Sequence, residues 1–350
     1  MATSLNLPER FVLPDLLRLT DSVFELKISP FQEQARRVGQ EWFSLFGHFD
    51  DMKLSSYLET GKYDLFVALG FPNTLDAIRL ETCMFYALWA FAADDITDEG
   101  ELQAQPLDVQ AGIDISATVI DRLDIHRPLD PCAAMLQDIL ERIRISASPQ
   151  VYTRRFCTGW VAWTQGQVKQ TTNRSQSVVP SVEEFITLRR ATIAGRMVEA
   201  MVQYALDLDI PDDVFAHPAL KDISDVVIDL IAWANDLCSF NVRDPSFKEQ
   251  ADGDFSNLVF VLMVNRQIDL QTAVNVLTAM YGDRVKDYTQ LKHELPSFGA
   301  AVDTQLVVYW KNMEHFFQGT VKWYYSSPRY FPPAGVPHVD GDLEIELLPR

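Results

Sequence analysis

The chain has 350 residues, 47% of them hydrophobic, and a formal net charge of −19. That apolar content suffices for a sizeable core, and the length is compatible with one large helical domain. The acidity argues against nucleic acid and anionic membrane surfaces as partners. The longest apolar run is about half of the ~20 residues a bilayer span needs, and Met1 to Arg10 holds no apolar signal core. The four cysteines, Cys83, Cys132, Cys157 and Cys238, form no C-x-x-C pair. They read as buried reduced thiols of an intracellular, cytoplasmic protein, a monomer or homodimer.

Residues 1–30, punctuated by Pro8, Pro14 and Pro30, read as an irregular N-terminal strap. One helical domain then spans 31–331, and 332–350, with more prolines, glycines and acids, reads as a mobile tail. Phe31, Ala35, Val38, Trp42 and Leu45 recur at helical spacing. Asn73 and Thr74 can cap the helix that follows them. Helical patterns return at 108–123, 131–146 and 149–172. Ser181 with Glu184 makes a capping box, opening a helix expected to reach Leu206. A strongly apolar helix covers 226–240, patterns continue over 255–266 and 270–292, and Pro296-Ser297 opens a last long helix to Tyr325. No stretch combines sustained period-two alternation with β-branched enrichment, so the expected fold class is all-α, a single large helical bundle.

The run from Cys83 to Ala93 is apolar or weakly polar and ends in Asp94-Asp95-Ile96-Thr97-Asp98-Glu99, with Gly100 where a helix commonly stops. Four carboxylates therefore crowd the last turn, already the negative pole of the helix. They call for a cation, and a hard divalent ion with oxygen ligands, Mg²⁺ above all, is the natural candidate. The alternative is a solvated acidic helix end. A second polar group, Asn235-Asp236-Leu237-Cys238-Ser239, closes another apolar helix. Asn235 and Ser239 are four apart and share a face; an amide oxygen and a hydroxyl bind metal weakly alone but acceptably beside a carboxylate and phosphate oxygens.

Asp94-Asp95-x-x-Asp98 followed downstream by Asn235-Asp236-x-x-Ser239 resembles the class I terpene synthases, in the single-domain fungal sesquiterpene style. The resemblance implies a helical bundle around an apolar cavity, with the two motifs on opposite rims. There, three Mg²⁺ ions would bind the diphosphate of an isoprenoid substrate. The family's third ligand of the second motif is a Glu four residues after the Ser; here that position is Arg243. An insertion from Arg243 to Lys248 restores the alignment and makes Glu249 the expected ligand, with Asp244 as the weaker candidate. Arg189, in Leu188-Arg189-Arg190-Ala191-Thr192, resembles the family's diphosphate-sensing arginine, although Arg190 is the one that falls in the apolar stripe of Ile186, Ile193 and Met197. Arg329-Tyr330 resembles its paired diphosphate donors, and Lys248 is a further candidate contact.

The implied function is Mg²⁺-dependent ionisation of a prenyl diphosphate, farnesyl diphosphate first, with cyclisation or water capture of the carbocation. Asp94, Asp98, Asn235, Ser239 and Glu249 are the expected metal ligands, supported from behind by Asp95, Glu99, Thr192 and Asp236. A carbocation needs aromatic walls that stabilise charge without attacking it. Phe91 and Ala87 lie on the Asp94 face, and Phe66, Phe316 and Trp323 are the other wall candidates. A monoterpene or acyclic alcohol product, or a degenerate helical binding protein without activity, are the alternatives.

Overall fold

The computed structural model describes residues 7–98, 105–121, 126–240, 256–331, 338–339 and 341–347. A short strand β1 (Arg10–Leu13) and helix α1 (Leu16–Thr20) precede α2 (Gln32–Ser44), α3 (Asp51–Gly61) and α4 (Tyr63–Gly70). Lys62 adopts a left-handed conformation between α3 and α4, so the chain turns sharply there. The long α5 (Ala77–Asp98) carries the acidic stretch at its end. Its start is set by Asp76, whose carboxylate accepts from the Arg79 backbone N–H at 2.9 Å, satisfying an orphan donor of the first turn. Asn73 and Thr74, expected to cap this helix, are engaged elsewhere: Asn73 donates to Asn312 and Thr74 to the Phe71 carbonyl. The Arg79 side chain donates to the Ser146 carbonyl and pairs with Asp207, each at 2.7 Å. One buried guanidinium thus anchors the start of α5 to two neighbouring segments.

Then follow α6 (Pro106–Asp121), α7 (Pro131–Ser146), a π-helical turn (Gln150–Phe156) and α8 (Cys157–Ser175). The capping box at Ser181 and Glu184 forms as the sequence indicates and opens α9 (Val182–Thr192). The helix does not continue to Leu206 unbroken. Ala194 takes φ 60°, and α10 (Gly195–Leu206) starts afresh. A left-handed alanine costs roughly 1–2 kcal/mol, so packing must hold it. Gly195 supplies part of that packing, since a Cβ there would sit 2.7 Å from Ile228 Cγ1. After α11 (Asp212–Phe215) come α12 (Pro218–Ser239), α13 (Leu258–Arg266), α14 (Leu270–His293) and α15 (Ala300–Ser326). No helix among the described residues is long and apolar enough to cross a membrane.

The termini differ from a strap and a mobile tail. β1 pairs antiparallel with β3 (Asp342–Glu346), which also pairs with β2 (His338–Val339). Phe11, Leu13, Leu343 and Ile345 all point inward and are buried, the alternation expected of a half-buried sheet. The open edge of β1 is closed by a side chain: Gln271 accepts from the Val12 N–H at 2.7 Å and donates to its carbonyl at 2.9 Å. Phe11 meets Phe240 edge-on at 5.9 Å, so the sheet braces the residue directly after α12.

α15 and α4 pack closely because Gly319 admits the α4 backbone. A Cβ on Gly319 would lie 2.6 Å from the Leu69 carbonyl oxygen, a contact that no rotamer change relieves. Gly319→Ala should therefore destabilise the protein by about 1–3 kcal/mol, read as a lower urea midpoint with an unchanged slope.

Candidate active site

The inner face of α5 builds one wall of a cavity. Tyr86, Ala87, Ala90, Phe91 and Asp94 all line it, and their spacing of three and four is the period of one helix face. From Tyr86 to Asp94 that face runs about 12 Å along the axis, placing the carboxylate at the mouth and apolar side chains below. The cavity holds about 1140 Å³ of unfilled space, its open mouth included. Phe66 and Phe316 join Phe91 in an aromatic corner: Phe66 stands edge-on to each, with ring centres 5.5 Å apart. Trp323, expected on the wall, is not among the lining residues. It lies one layer back, 4.8 Å from Phe66 and 5.4 Å from Phe91, because its indole N–H is drawn to the Gly61 carbonyl at 2.7 Å.

The opposite wall comes from the broken helix and α12. Arg189, Thr192, Ile193 and Ala194 line the cavity through the break, Met197 and Val198 continue it, and Ile231, Asn235 and Ser239 project from α12. Arg189 is clamped to α12: its Nε donates to Asp236 at 2.9 Å and one Nη to Asn235 Oδ1 at 2.6 Å. Asp236 is fully buried. Burial pushes its carboxyl up from the usual range, and Arg189 and the Leu258 N–H pull it part of the way back. Thr192, expected to support from behind, itself faces the cavity and accepts from Arg189 at 3.5 Å. Arg190 points the other way, with two parallel bonds to Asp229 at 2.7 and 2.8 Å. Neither arginine is a solvated surface group.

At the mouth, Asp94 accepts from Gln167 at 2.8 Å. Arg329 grips its neighbour Asp95 with bonds of 2.6 and 3.3 Å and stands 5.7 Å from the Phe91 ring centre. Burial opposes the Arg329 charge, but Asp95 together with Tyr63 and Tyr330 more than reverses this, holding the guanidinium well above its usual range. Arg329 and Tyr330 both line the cavity. Asp94, Asn235, Ser239, Arg189, Arg329 and Tyr330, far apart in sequence, thus meet on one concavity. The donor set they offer is carboxylate, amide oxygen and hydroxyl, hard oxygen ligands suited to a hard divalent cation and unsuited to a soft one. The backbone of Asp98 closes α5, but its side chain lies outside the described residues, as do Glu99, Asp244, Lys248 and Glu249.

Several participants escaped the sequence reading. Tyr324 faces the cavity and its hydroxyl accepts from Asn235 Nδ2 at 3.1 Å. Asn257 caps α13 and donates to the Asp236 carbonyl at 2.8 Å and to Ser239 Oγ at 3.4 Å, so the start of α13 steadies the end of α12. Arg174 reaches Ser256 on the rim at 3.1 Å. None of these carries a spacing signature; each is brought in by the packing of a separate helix.

An all-α bundle with an apolar cavity, and acidic and Asn/Ser groups on facing walls of its mouth, is the architecture of a class I terpenoid synthase. The comparisons agree. The family model for terpene synthase family 2, C-terminal metal binding, matches residues 86–287, more than half of the chain and both motif helices. Sesquiterpene synthase 1 of Postia placenta is 27% identical, over 100% of this chain and 98% of its own length. Sesquiterpene synthase Agr1 of Cyclocybe aegerita is 26% identical, over 99% and 95%. Among solved structures, the SVS_A2 protein from ancestral sequence reconstruction superposes with a TM-score of 0.77 at 24% identity, covering 91% of this chain and 90% of that one. Wild-type cucumene synthase gives 0.74 at 18%, covering 87% and 99%. The chain belongs to the terpene synthase family: it is a class I terpene synthase, a lyase with a metal-binding domain.

The Arg189–Asp236 pair permits a sharp test. Arg189→Ala would strand a buried carboxylate and should cost about 3–5 kcal/mol of stability, measured by guanidinium unfolding at neutral pH. Asp236→Asn in the same background should recover a large part of that loss, because the uncompensated charge goes with it.

Proposed function

We propose that this terpene synthase ionises farnesyl diphosphate with Mg²⁺ and converts the resulting carbocation to a sesquiterpene. The observation that carries the proposal is the segregation of the cavity, with carboxylate, amide, hydroxyl and guanidinium groups at the mouth and an aromatic, aliphatic interior below. Asp94 and the Asn235–Ser239 pair would hold the metal on facing rims, joined by Asp98 and by Glu249 or Asp244. When bound, Mg²⁺ supplies positive charge to the departing diphosphate.

The chain's own groups then act in order. Arg189, Arg329 and Tyr330 donate to phosphate oxygens, where a guanidinium fork suits the geometry. They sit where negative charge grows as the C–O bond breaks and its electron pair leaves with the diphosphate. The allylic cation stays below, where water is excluded. Phe66, Phe91 and Phe316 present ring faces and edges there, and their π-faces stabilise cationic centres as the chain folds and new C–C bonds form. Loss of a carbon-bound proton yields an alkene; addition of water with loss of its proton yields an alcohol. The aromatic corner is rigid because Trp323 backs it, which favours one folded substrate conformation over many.

Purified protein incubated with farnesyl diphosphate and Mg²⁺ should release inorganic diphosphate and a fifteen-carbon product, seen by gas chromatography with mass detection. Chelation by EDTA should stop both, and Asp94→Ala should lower kcat/KM at least about 1000-fold. Absence of both product and released diphosphate would overturn the reading, and faster turnover of geranyl diphosphate would reassign the substrate. Glu249→Gln should impair turnover more than Asp244→Asn, and the reverse order would move the third ligand to Asp244.

A further inference from the structure

The break at Ile193–Ala194 is held from outside the cavity by one carboxylate. Asp225, on α12, bonds Arg190 of α9 at 2.8 Å through one oxygen and Arg196 of α10 through the other. In an unbroken helix, residues six apart lie about 9 Å along the axis and about 240° around it, on different faces. Their convergence on a single carboxylate depends on the left-handed Ala194 between them. One turn along α12, Asp229 receives the two parallel bonds from Arg190 and a third from Arg284 of α14 at 2.9 Å. Arg284 in turn lies over the Trp233 ring. Asp229 is almost fully buried, whereas Asp225 is about one-third exposed. Neither acid lines the cavity, but Arg189, Thr192, Ile193 and Ala194, the residues beside and between the clamped arginines, all do.

We propose that Asp225 is a positioning residue that staples the two halves of the broken helix, and so fixes both the reach of Arg189 to the diphosphate and the wall that Thr192, Ile193 and Ala194 present to the carbocation. The inference rests on the farnesyl diphosphate reading for its consequences in turnover, but the clamp itself is a property of the fold. Asp229 holds α9 against α12 and α14. Asp225 alone couples α9 to α10, so its loss frees the angle at the break while Asp229 still anchors Arg190.

The test compares Asp225→Ala, Asp225→Asn and Asp225→Glu with Asp138→Ala, which removes a carboxylate bonded to Trp42 and Arg142 on the far side of α5. In Asp225→Ala, amide hydrogen exchange over 189–197 should quicken about tenfold while α5 and α15 keep their protection. With farnesyl diphosphate, kcat should fall about tenfold with KM within about threefold, and the main product should lose about half of its share to side products. Asp225→Asn should resemble Asp225→Ala, and Asp225→Glu should restore most of the product ratio. Unchanged exchange over 189–197 in both Asp225→Ala and Asp225→Asn would overturn the clamp, whether or not the wild-type protein turns over farnesyl diphosphate. Asp138→Ala producing the same product shift at an equal loss of Tm would overturn the positioning role. A wild-type protein inactive on farnesyl diphosphate, but with faster exchange in Asp225→Ala, would leave the clamp standing and fail the substrate reading alone.

Discussion

Arg189 and Asp236 are buried together where α9 meets α12, and much of the site follows from the cost of that arrangement. A charge removed from water needs a partner and satisfied hydrogen bonds. Asp236 finds Arg189 and the Leu258 N–H; Arg189 finds Asp236, Asn235 and Thr192. These bonds tie the last turn of α9, the end of α12 and the first turn of α13 into one unit. The same logic operates across the mouth, where Arg329 is held by Asp95. The cations intended for diphosphate are thus already aligned by the chain's own oxygens. An arriving phosphate adds acceptors to ordered guanidinium groups, so little side-chain entropy is lost on binding.

The acidic end of α5 is the complement of this. Carboxylates in the last turn of a helix oppose its dipole, and an all-apolar environment would make them costlier still. Asp95 is relieved by Arg329 and Asp94 by the Gln167 amide. The two aspartates have therefore separated in role: Asp95 serves an ion pair within the protein, while Asp94 stays on the cavity surface. Adjacent residues on a helix point about 100° apart, which is enough to divide a single acidic run between two partners.

What could be read from the sequence was whatever is local. The apolar run into Asp94, the apolar helix into Asn235 and the capping box at Ser181 are short-range patterns, and all three are present in the structure. The break at Ala194 was not legible, because Ala-Thr-Ile-Ala has no breaker of its own and only the ion pairs and Gly195 against Ile228 impose it. The Asp76 cap lost out to Asn73 and Thr74 because side chains at a helix start compete, and distant partners such as Asn312 decide the outcome. The terminal sheet was missed although Leu343, Ile345 and Leu347 alternate with acids; one such strand is marginal alone, and its partner lies at the other end of the chain. Trp323 illustrates a different limit. Helical spacing gives the direction of a side chain but not which of two layers it fills.

That layering bears on what the cavity can do. A tryptophan carries a polar N–H that prefers a partner when buried, and Trp323 meets this need with a carbonyl of the α3–α4 turn. Its indole is thereby fixed behind Phe66 and Phe91, and the surface turned to the cavity in this corner is purely hydrocarbon. A ring with no hydrogen-bonding atom cannot order water or offer a lone pair. It can still present a negative π-face to a passing cation. The arrangement therefore places the polar aromatic where it supplies rigidity and the nonpolar ones where a nucleophile would be harmful. The break between α9 and α10 closes the opposite side with Thr192, Ile193 and Ala194, so the geometry available to a folded substrate is set jointly by a stiff aromatic corner and a wall whose angle depends on charges outside the cavity.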